Sequence, residues 1–280
     1  MKLKPFFSYD QQIEELRRKG IDLSHDECIK FLENVNYYRF SAYLLPYKGK
    51  LQGVSFQKIK RVYEFDSKLR ALILPVIERI EVMFRSRIAY HFSSLYGAEG
   101  YLDARNFSRR HNQEKFKAYL EKCIKENQQS LVIQHHEKKY GGHYPLWVLI
   151  EFFSMGMLSY FFSDLNRSDK KSIVKSMGYS QSDREIESWL RCLTILRNKC
   201  AHYSRLYYAV FPSIPLFEDG LDLSIERTLF PQILMLKSLL NDPVEWDRLF
   251  RKPFDAIMEE YQDAISLNHL GLSNDWENII

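Results

Sequence analysis

The sequence predicts an all-α protein. Apolar residues recur at helical spacing over long stretches, capping signals precede several of those stretches, and no segment alternates apolar and polar residues as a half-buried strand would. Near the N-terminus, Ser24 and Glu27 read as a capping box (S-H-D-E) ahead of Cys28, Phe31, Leu32 and Val35, which predicts a helix ending near Asn36. From Phe56 to about Leu95 the periodic positions include Ile59, Val62, Leu69, Ile73, Val76, Ile77, Ile80, Phe84 and Ile88, and Pro75 is expected to kink or divide that long helix. Asp66 with Arg70, and Glu81 with Arg85, are i,i+4 pairs worth about 0.3–0.5 kcal/mol each if exposed. The stretch Y-G-A-E-G-Y-L-D-A-R-N-F reads as a loop, followed by a charged helix from about Asn112 to Gln128. Tyr140-Gly141-Gly142 breaks the chain, and Pro145 is placed to open a helix over Trp147–Phe162. Apolar residues nearly encircle that segment, so it is expected in the middle of the fold. A helix over Asp183–His202 follows, then a segment punctuated by Pro212 and Pro215, and Asp242-Pro243 caps a further helix. The organisation expected is an N-terminal helical segment (1–55) packed on a helical core (56–215), with a C-terminal helical extension (216–280).

At 280 residues, with 45% hydrophobic and 27% charged residues, the chain has a globular composition, which excludes a disordered or collagen-like protein. Its 19 Phe, 18 Tyr and 4 Trp supply buried area or stacking surfaces without deciding between them. A net charge of +4 is too small to argue for a nucleic-acid partner, yet residues 103–139 alone carry nine Lys or Arg against five acids. A solvated helix face with mixed charges is the ordinary reading of such a run. Cys28, Cys123, Cys192 and Cys200 show neither metal-ligand nor disulfide spacing, so a reducing, cytoplasmic setting is expected. The first residues hold no apolar run suited to a signal peptide. The most apolar stretch, Pro145–Leu165, is interrupted by Glu151 and falls short of the ~20 apolar residues a membrane span needs.

The segment W-L-R-C-L-T-I-L-R-N-K-C-A-H-Y-S-R, residues 189–205, is where chemistry is expected. At about 100° per residue, Ile186, Trp189, Leu190, Leu193, Leu196 and Cys200 share one face. Measured from Arg197, Asn198 lies at about 100° and His202 at about 140°, forming a polar arc beside that apolar stripe. A guanidinium offers a planar fork of donors to phosphate oxygens and keeps its charge. Histidine titrates near neutrality and can move a proton to or from a ribose or leaving oxygen. An Asn one turn before the His can orient the imidazole or a phosphate oxygen. Such chemistry calls for no metal and no cofactor. Spacing alone also fits an interface Arg and a helix-terminal His.

Other clusters carry weaker signals. His25-Asp26 sits in the capping box and lacks a second His–Asp set at phosphohydrolase spacing, while His135-His136-Glu137 and His143 are expected on the surface. Gly49-Lys50 lacks the spacing of a phosphate-binding loop. Cys200 is expected to be a small buried hydrophobe rather than a nucleophile.

R-N-K-C-A-H resembles the R-x(4–6)-H motif of HEPN-superfamily ribonucleases, and the chain more widely resembles the Abi-like abortive-infection proteins of the AbiD and AbiF group. The matching blocks are N-Y-Y-R-F-S-A-Y (36–43), Y-E-F-D-S-K-L-R (63–70), I-E-R-I-E-V-M-F-R-S-R-I-A (77–89), Y-P-L-W (144–147), M-G-M-L-S (155–159) and R-N-K-C-A-H-Y-S-R-L-Y (197–207). The resemblance implies a HEPN-like helical core and a phage-defence protein that cleaves RNA without a metal, leaving 2′,3′-cyclic phosphate ends. In that reading Arg197, Asn198 and His202 take the catalytic positions. It also implies a composite site from two motifs, hence a homodimer, because this chain has one full motif. Arg85 and His91 share a similar spacing, but Ser86 stands where the polar partner would be. Relatives in the AbiF group associate with a structured noncoding RNA, and the group resembles relatives of type VI CRISPR effectors. RNA is therefore the expected partner, with Arg85, Arg109, Arg110, Lys138, Lys139 and Arg205 as candidate contacts. The Tyr37, Tyr38, Arg39, Tyr43 cluster could stack on bases or pack in the core. The alternative function is a noncatalytic RNA-binding or sensing protein that uses the same motif to hold phosphate.

Overall fold

The computed structural model describes residues 5–218 and 227–280. Its helices are α1 (Tyr9–Arg18), α2 (His25–Leu32), α3 (Tyr37–Ser41), α4 (Phe56–Tyr96), α5 (Gln113–Glu126), α6 (Leu131–Tyr140), α7 (Leu146–Leu149), α8 (Met155–Asp164), α9 (Arg167–Ser176), α10 (Asp183–Ala201), α11 (Phe230–Leu240), α12 (Pro243–Trp246), α13 (Lys252–Tyr261) and α14 (Trp276–Ile279). Extended pairing among the described residues is confined to two isolated bridges, Asp22 with Ser55 and Phe107 with Leu165. The fold is all-α.

Helix α4 is the spine. Its 41 residues span about 60 Å, and α7, α9, α10, α11 and α13 all pack against it. A stripe running through Ile59, Val62, Phe65, Leu69, Ile73, Ile77, Ile80, Phe84, Ile88 and Phe92 is fully or almost fully buried. Pro75 does not divide the helix: α4 continues through it, with the ring on the exposed side and Ile73, Val76 and Ile77 buried around it. Packing on both flanks outweighs the lost hydrogen bond and ring clash, a cost of about 3 kcal/mol.

Local capping differs from the sequence reading in two places. Ser24 precedes α2 without making a side-chain cap bond, and α2 ends at Leu32; Asn36 instead opens α3, its Oδ1 accepting from the Tyr38 N–H at 2.8 Å. Complete capping boxes occur at Ser8/Gln11, opening α1, and at Ser182/Glu185, opening α10. The expected Trp147–Phe162 helix is broken into α7, a 3₁₀ turn at Ile150–Phe152 and α8. Ser154 restarts the chain by accepting from the Met157 N–H at 3.2 Å. The freed carbonyls of Glu151 and Phe153 accept from Arg85 at 3.1 and 2.7 Å. This break turns Trp147 (52% exposed) and Tyr160 (60%) to solvent, so the segment is not encircled by protein. Asp242 caps α12 as expected, accepting from the N–H groups of Val244 and Glu245, both at 3.0 Å.

Among the described residues no helix is long and apolar enough to cross a membrane. Because the Pro75 ring is exposed and its site lies in a continuous helix, Pro75→Ala restores an N–H to the ladder without opening a cavity. The expected result is a stabilisation of about 1–3 kcal/mol, read as a rise in thermal midpoint of at least a few degrees; an unchanged or lower midpoint would show that the ring itself is needed.

Candidate functional site

The motif segment forms the C-terminal half of α10 and the turn that follows. Its apolar stripe behaves as expected: Ile186, Trp189, Leu190, Leu193, Leu196 and Cys200 are buried. Burial pushes the Cys200 thiol up to about 12, so it is neither a nucleophile nor a metal ligand in waiting at neutral pH. Arg197 is half-buried and Asn198 exposed, and an Arg197 guanidinium N–H reaches the Asn198 Oδ1 at 3.5 Å. His202 is the C-cap, with its imidazole exposed and no side-chain hydrogen bond among the described residues.

The turn after His202 is a complete Schellman closure. The N–H of Ser204 donates to the Lys199 carbonyl at 2.8 Å and that of Tyr203 to the Cys200 carbonyl at 3.1 Å. Tyr203 takes the left-handed position with φ 56°, a place that favours glycine, and its side chain is 67% exposed beside His202. A bulky residue held there stores backbone strain of about 1–3 kcal/mol, sustained only where the surroundings over-determine it.

Those surroundings are a buried polar clamp. Asp66, fully buried on α4, accepts from the N–H groups of Leu206 (3.0 Å) and Tyr207 (2.7 Å) and from the Tyr43 hydroxyl (2.6 Å). Arg70, one turn on, closes an ion pair with Asp66 and reaches the Ser204 carbonyl at 3.4 Å. Arg39 donates to the Tyr203 carbonyl at 2.5 Å, and Arg205 returns the favour to the N-terminal segment by donating to the Ala42 carbonyl at 2.8 Å. Burial pushes the Asp66 carboxyl up, against the pull of Arg70, Tyr43 and the two backbone N–H groups. Burial also works against the Arg70 charge, but Asp66 more than restores it. Asp66 and Arg70 are thus a buried hub rather than the exposed helical pair that spacing suggested. The sequence signal was available: Asp66 falls on the apolar stripe, seven residues after Ile59 and seven before Ile73.

The remaining candidates separate. Arg85 is occupied by Glu81 and by the Glu151 and Phe153 carbonyls, with its side chain only 16% exposed, so it holds the α7–α8 break together. Arg205 is half-buried on the clamp. Lys138 and Lys139 are exposed on α6, away from the motif's own contacts. Arg109 and Arg110 are exposed and lie on a groove that α10 also lines. Of the tyrosine cluster, Tyr43 is core, Tyr37 is half-buried with its hydroxyl accepting from Lys19, and Tyr38 is 86% exposed. His136 is not a surface residue: it is buried, stacked on Tyr144, with Nδ1 at 2.9 Å from the Val132 carbonyl. Among the described residues no group of three or more His, Cys, Asp or Glu is arranged to hold a metal ion.

The architecture and motif define a helical protein whose one solvent-facing Arg-Asn-His segment is pinned from below. A family model described as Abi-like protein matches residues 30–208, a span that ends just past the clamped Tyr207 and includes Asp66, Arg70 and the whole motif. The chain belongs to the Abi-like protein family, and the family points to abortive infection, a form of phage defence. Neither a curated protein nor a solved structure matches it.

Two measurements test the clamp. Asp66→Ala strands the Arg70 charge and two backbone donors, and a loss of about 3–5 kcal/mol in urea unfolding is expected; a loss below about 1 kcal/mol, the worth of an exposed pair, would show that Asp66 and Arg70 do not clamp the turn. Further out, the Tyr207 hydroxyl accepts from the Ser266 N–H (2.9 Å) and is hydrogen-bonded with His269 Nδ1 (2.6 Å), while the His269 carbonyl accepts from the Tyr208 N–H at 3.0 Å. Burial lowers the His269 pKa below its ordinary value. The unfolded chain therefore binds the proton first, and stability falls as pH drops below about 6.5 toward the folded value, being fully present above it. His269→Asn is expected to flatten that part of the stability–pH curve; an unchanged slope would assign it to another group.

Proposed function

We propose that the protein is a metal-independent endoribonuclease of phage defence, with a HEPN-like core whose motif residues Arg197, Asn198 and His202 act on a phosphodiester. The observation that carries this reading is the contrast at the end of α10. The backbone around His202 is fixed by the Schellman turn and the Asp66–Arg70 clamp, while the imidazole itself is exposed and unengaged. A fixed backbone under a free imidazole is what positioning a proton-transfer group requires.

In the step that follows, the ribose 2′-oxygen attacks the adjacent phosphorus and the 5′-oxygen leaves. The products are a 2′,3′-cyclic phosphate and a 5′-hydroxyl. His202 takes the 2′-proton or returns one to the leaving oxygen, and Arg197 sits against the charge that develops on the phosphoryl oxygens. Asn198 holds the guanidinium or a phosphate oxygen. Arg197 and His202 diverge by about 140° around the helix and share no hydrogen bond among the described residues. This supports a site completed by a second copy, in which a two-fold axis sets one motif against the other.

The test is cleavage of a mixed RNA pool in EDTA, comparing wild type with His202→Ala and Arg197→Ala. The wild type is expected to yield ends carrying 2′,3′-cyclic phosphate, and each variant to lose about 10²–10⁴-fold in rate with its helical spectrum and unfolding midpoint retained. Wild-type protein that binds the pool and leaves it intact, after copurifying RNA is stripped, would overturn the nuclease reading in favour of a phosphate-holding module.

A further inference from the structure

A groove of about 1520 Å³ runs beside the motif helix, between α8 and α10, with the Ser108–Arg110 turn on one rim and residues 214–217 on the other. Its charged walls are one-sided: Arg109, Arg110, Arg167, Lys170, Arg184 and Arg191 face two carboxylates, Asp183 and Glu187. Lys170 is internal to the fold, paired with Glu187 at 2.6 Å and donating to the Ser163 carbonyl. Arg167 meets Asp183 at 3.2 Å and Arg110 meets Glu187 at 3.7 Å, both with most of the side chain exposed. Arg109, Arg184 and Arg191 are exposed and form no ion pair among the described residues. Guanidiniums gathered along a groove without carboxylates to match are arranged for phosphate rather than for packing.

Direction comes from the helix itself. At about 100° per residue, Arg184, Arg191, Asn198 and His202 fall within about 40° of one another, along about 27 Å of α10. The basic floor of the groove therefore continues on the same helical face to the exposed imidazole. Tyr160, on the α8 wall, is 60% exposed and lies under the Lys115 ammonium at 5.5 Å, a flat ring available to an unpaired base.

We infer that this groove binds single-stranded RNA, its arginines gripping the backbone so that the strand is laid along α10 toward His202. The inference rests on the nuclease reading for its direction and names the substrate form that reading leaves open. A duplex keeps its bases stacked inside, out of reach of Tyr160, whereas an unpaired strand offers both phosphates and base faces.

The test separates binding from cleavage by using a short fluorescein-labelled 2′-O-methyl oligouridylate, which lacks the attacking hydroxyl, and reading anisotropy between about 50 and 200 mM salt. Arg184→Glu/Arg191→Glu is expected to weaken binding about tenfold or more and to lower the salt slope by about 1.4, two single-strand phosphate contacts. The milder Arg184→Gln/Arg191→Gln is expected to move both in the same direction with the unfolding midpoint unchanged. Lys48→Glu/Lys50→Glu, the same charge reversal at exposed residues outside the groove, is expected to leave affinity within about twofold. Equal losses from both reversals would show diffuse surface charge and overturn the groove, as would a 2′-O-methyl duplex that binds as tightly as the single strand. Wild type that binds through Arg184 and Arg191 yet cuts no RNA removes the nuclease and keeps the groove. Unaltered RNA cleavage and probe binding by Arg184→Glu/Arg191→Glu does the reverse.

Discussion

The interaction on which the site depends is a carboxylate buried in the middle of a long helix. Asp66 has no solvent and must satisfy its lone pairs internally, and it does so with an arginine one turn away, a tyrosine from the N-terminal segment and two backbone N–H groups from a strandless loop 140 residues later in the chain. Each donor offsets part of a desolvation cost that no single partner could cover. The arrangement is cooperative in a physical sense: remove one donor and the remaining ones hold a charge that is worse placed. Three pieces of chain that are remote in sequence are thereby made to meet beneath the Arg-Asn-His segment.

Such a hub explains how a strained residue can persist next to the candidate histidine. Tyr203 sits in the left-handed region, where glycine would cost least, because its own carbonyl is held by Arg39, Ser204 is held by Lys199 and Arg70, and Leu206 and Tyr207 are held by Asp66. The result is an aromatic residue presented to solvent from a held backbone, next in sequence to an exposed imidazole. Lys199, whose ammonium lies over the Phe211 ring at 5.2 Å, is held low by burial, with Arg205 adding to the effect, so the polar arc is flanked by a cation the protein keeps partly to itself.

Much of the fold was legible from periodicity alone. The helical class, the long α4, the charged α5 and the apolar stripe of α10 all follow from residues three and four apart, because burial on one helix face is a local rule. What periodicity could not show were events decided by distant partners. Arg85 reads as half of an ordinary helical ion pair, yet its donors satisfy the carbonyls released where α7 ends, and only Glu151 and Ser154 mark that break within an otherwise apolar run. Pro75 reads as a residue that kinks or divides the helix; it does not divide α4, because a helix packed along its length tolerates one exposed proline. The Arg-Asn-His motif is proposed from its own residues and spacing; the clamp is hidden because Asp66 and Arg70 carry the same spacing as an exposed pair, and only Asp66's register on the apolar stripe distinguishes them.

The separation in sequence between Asp66 and its loop has a consequence during synthesis. The spine helix, with its buried carboxylate, leaves the ribosome well before residues 204–207 exist, so for that interval Asp66 and Arg70 have only each other and Tyr43. His202 is translated just ahead of its own anchor, and the hydroxyl of Tyr207 waits still longer for Ser266 and His269. A nascent or truncated chain that stops short of Tyr207 therefore carries Arg197, Asn198 and His202 without the backbone contacts to Asp66 that hold the turn beneath them.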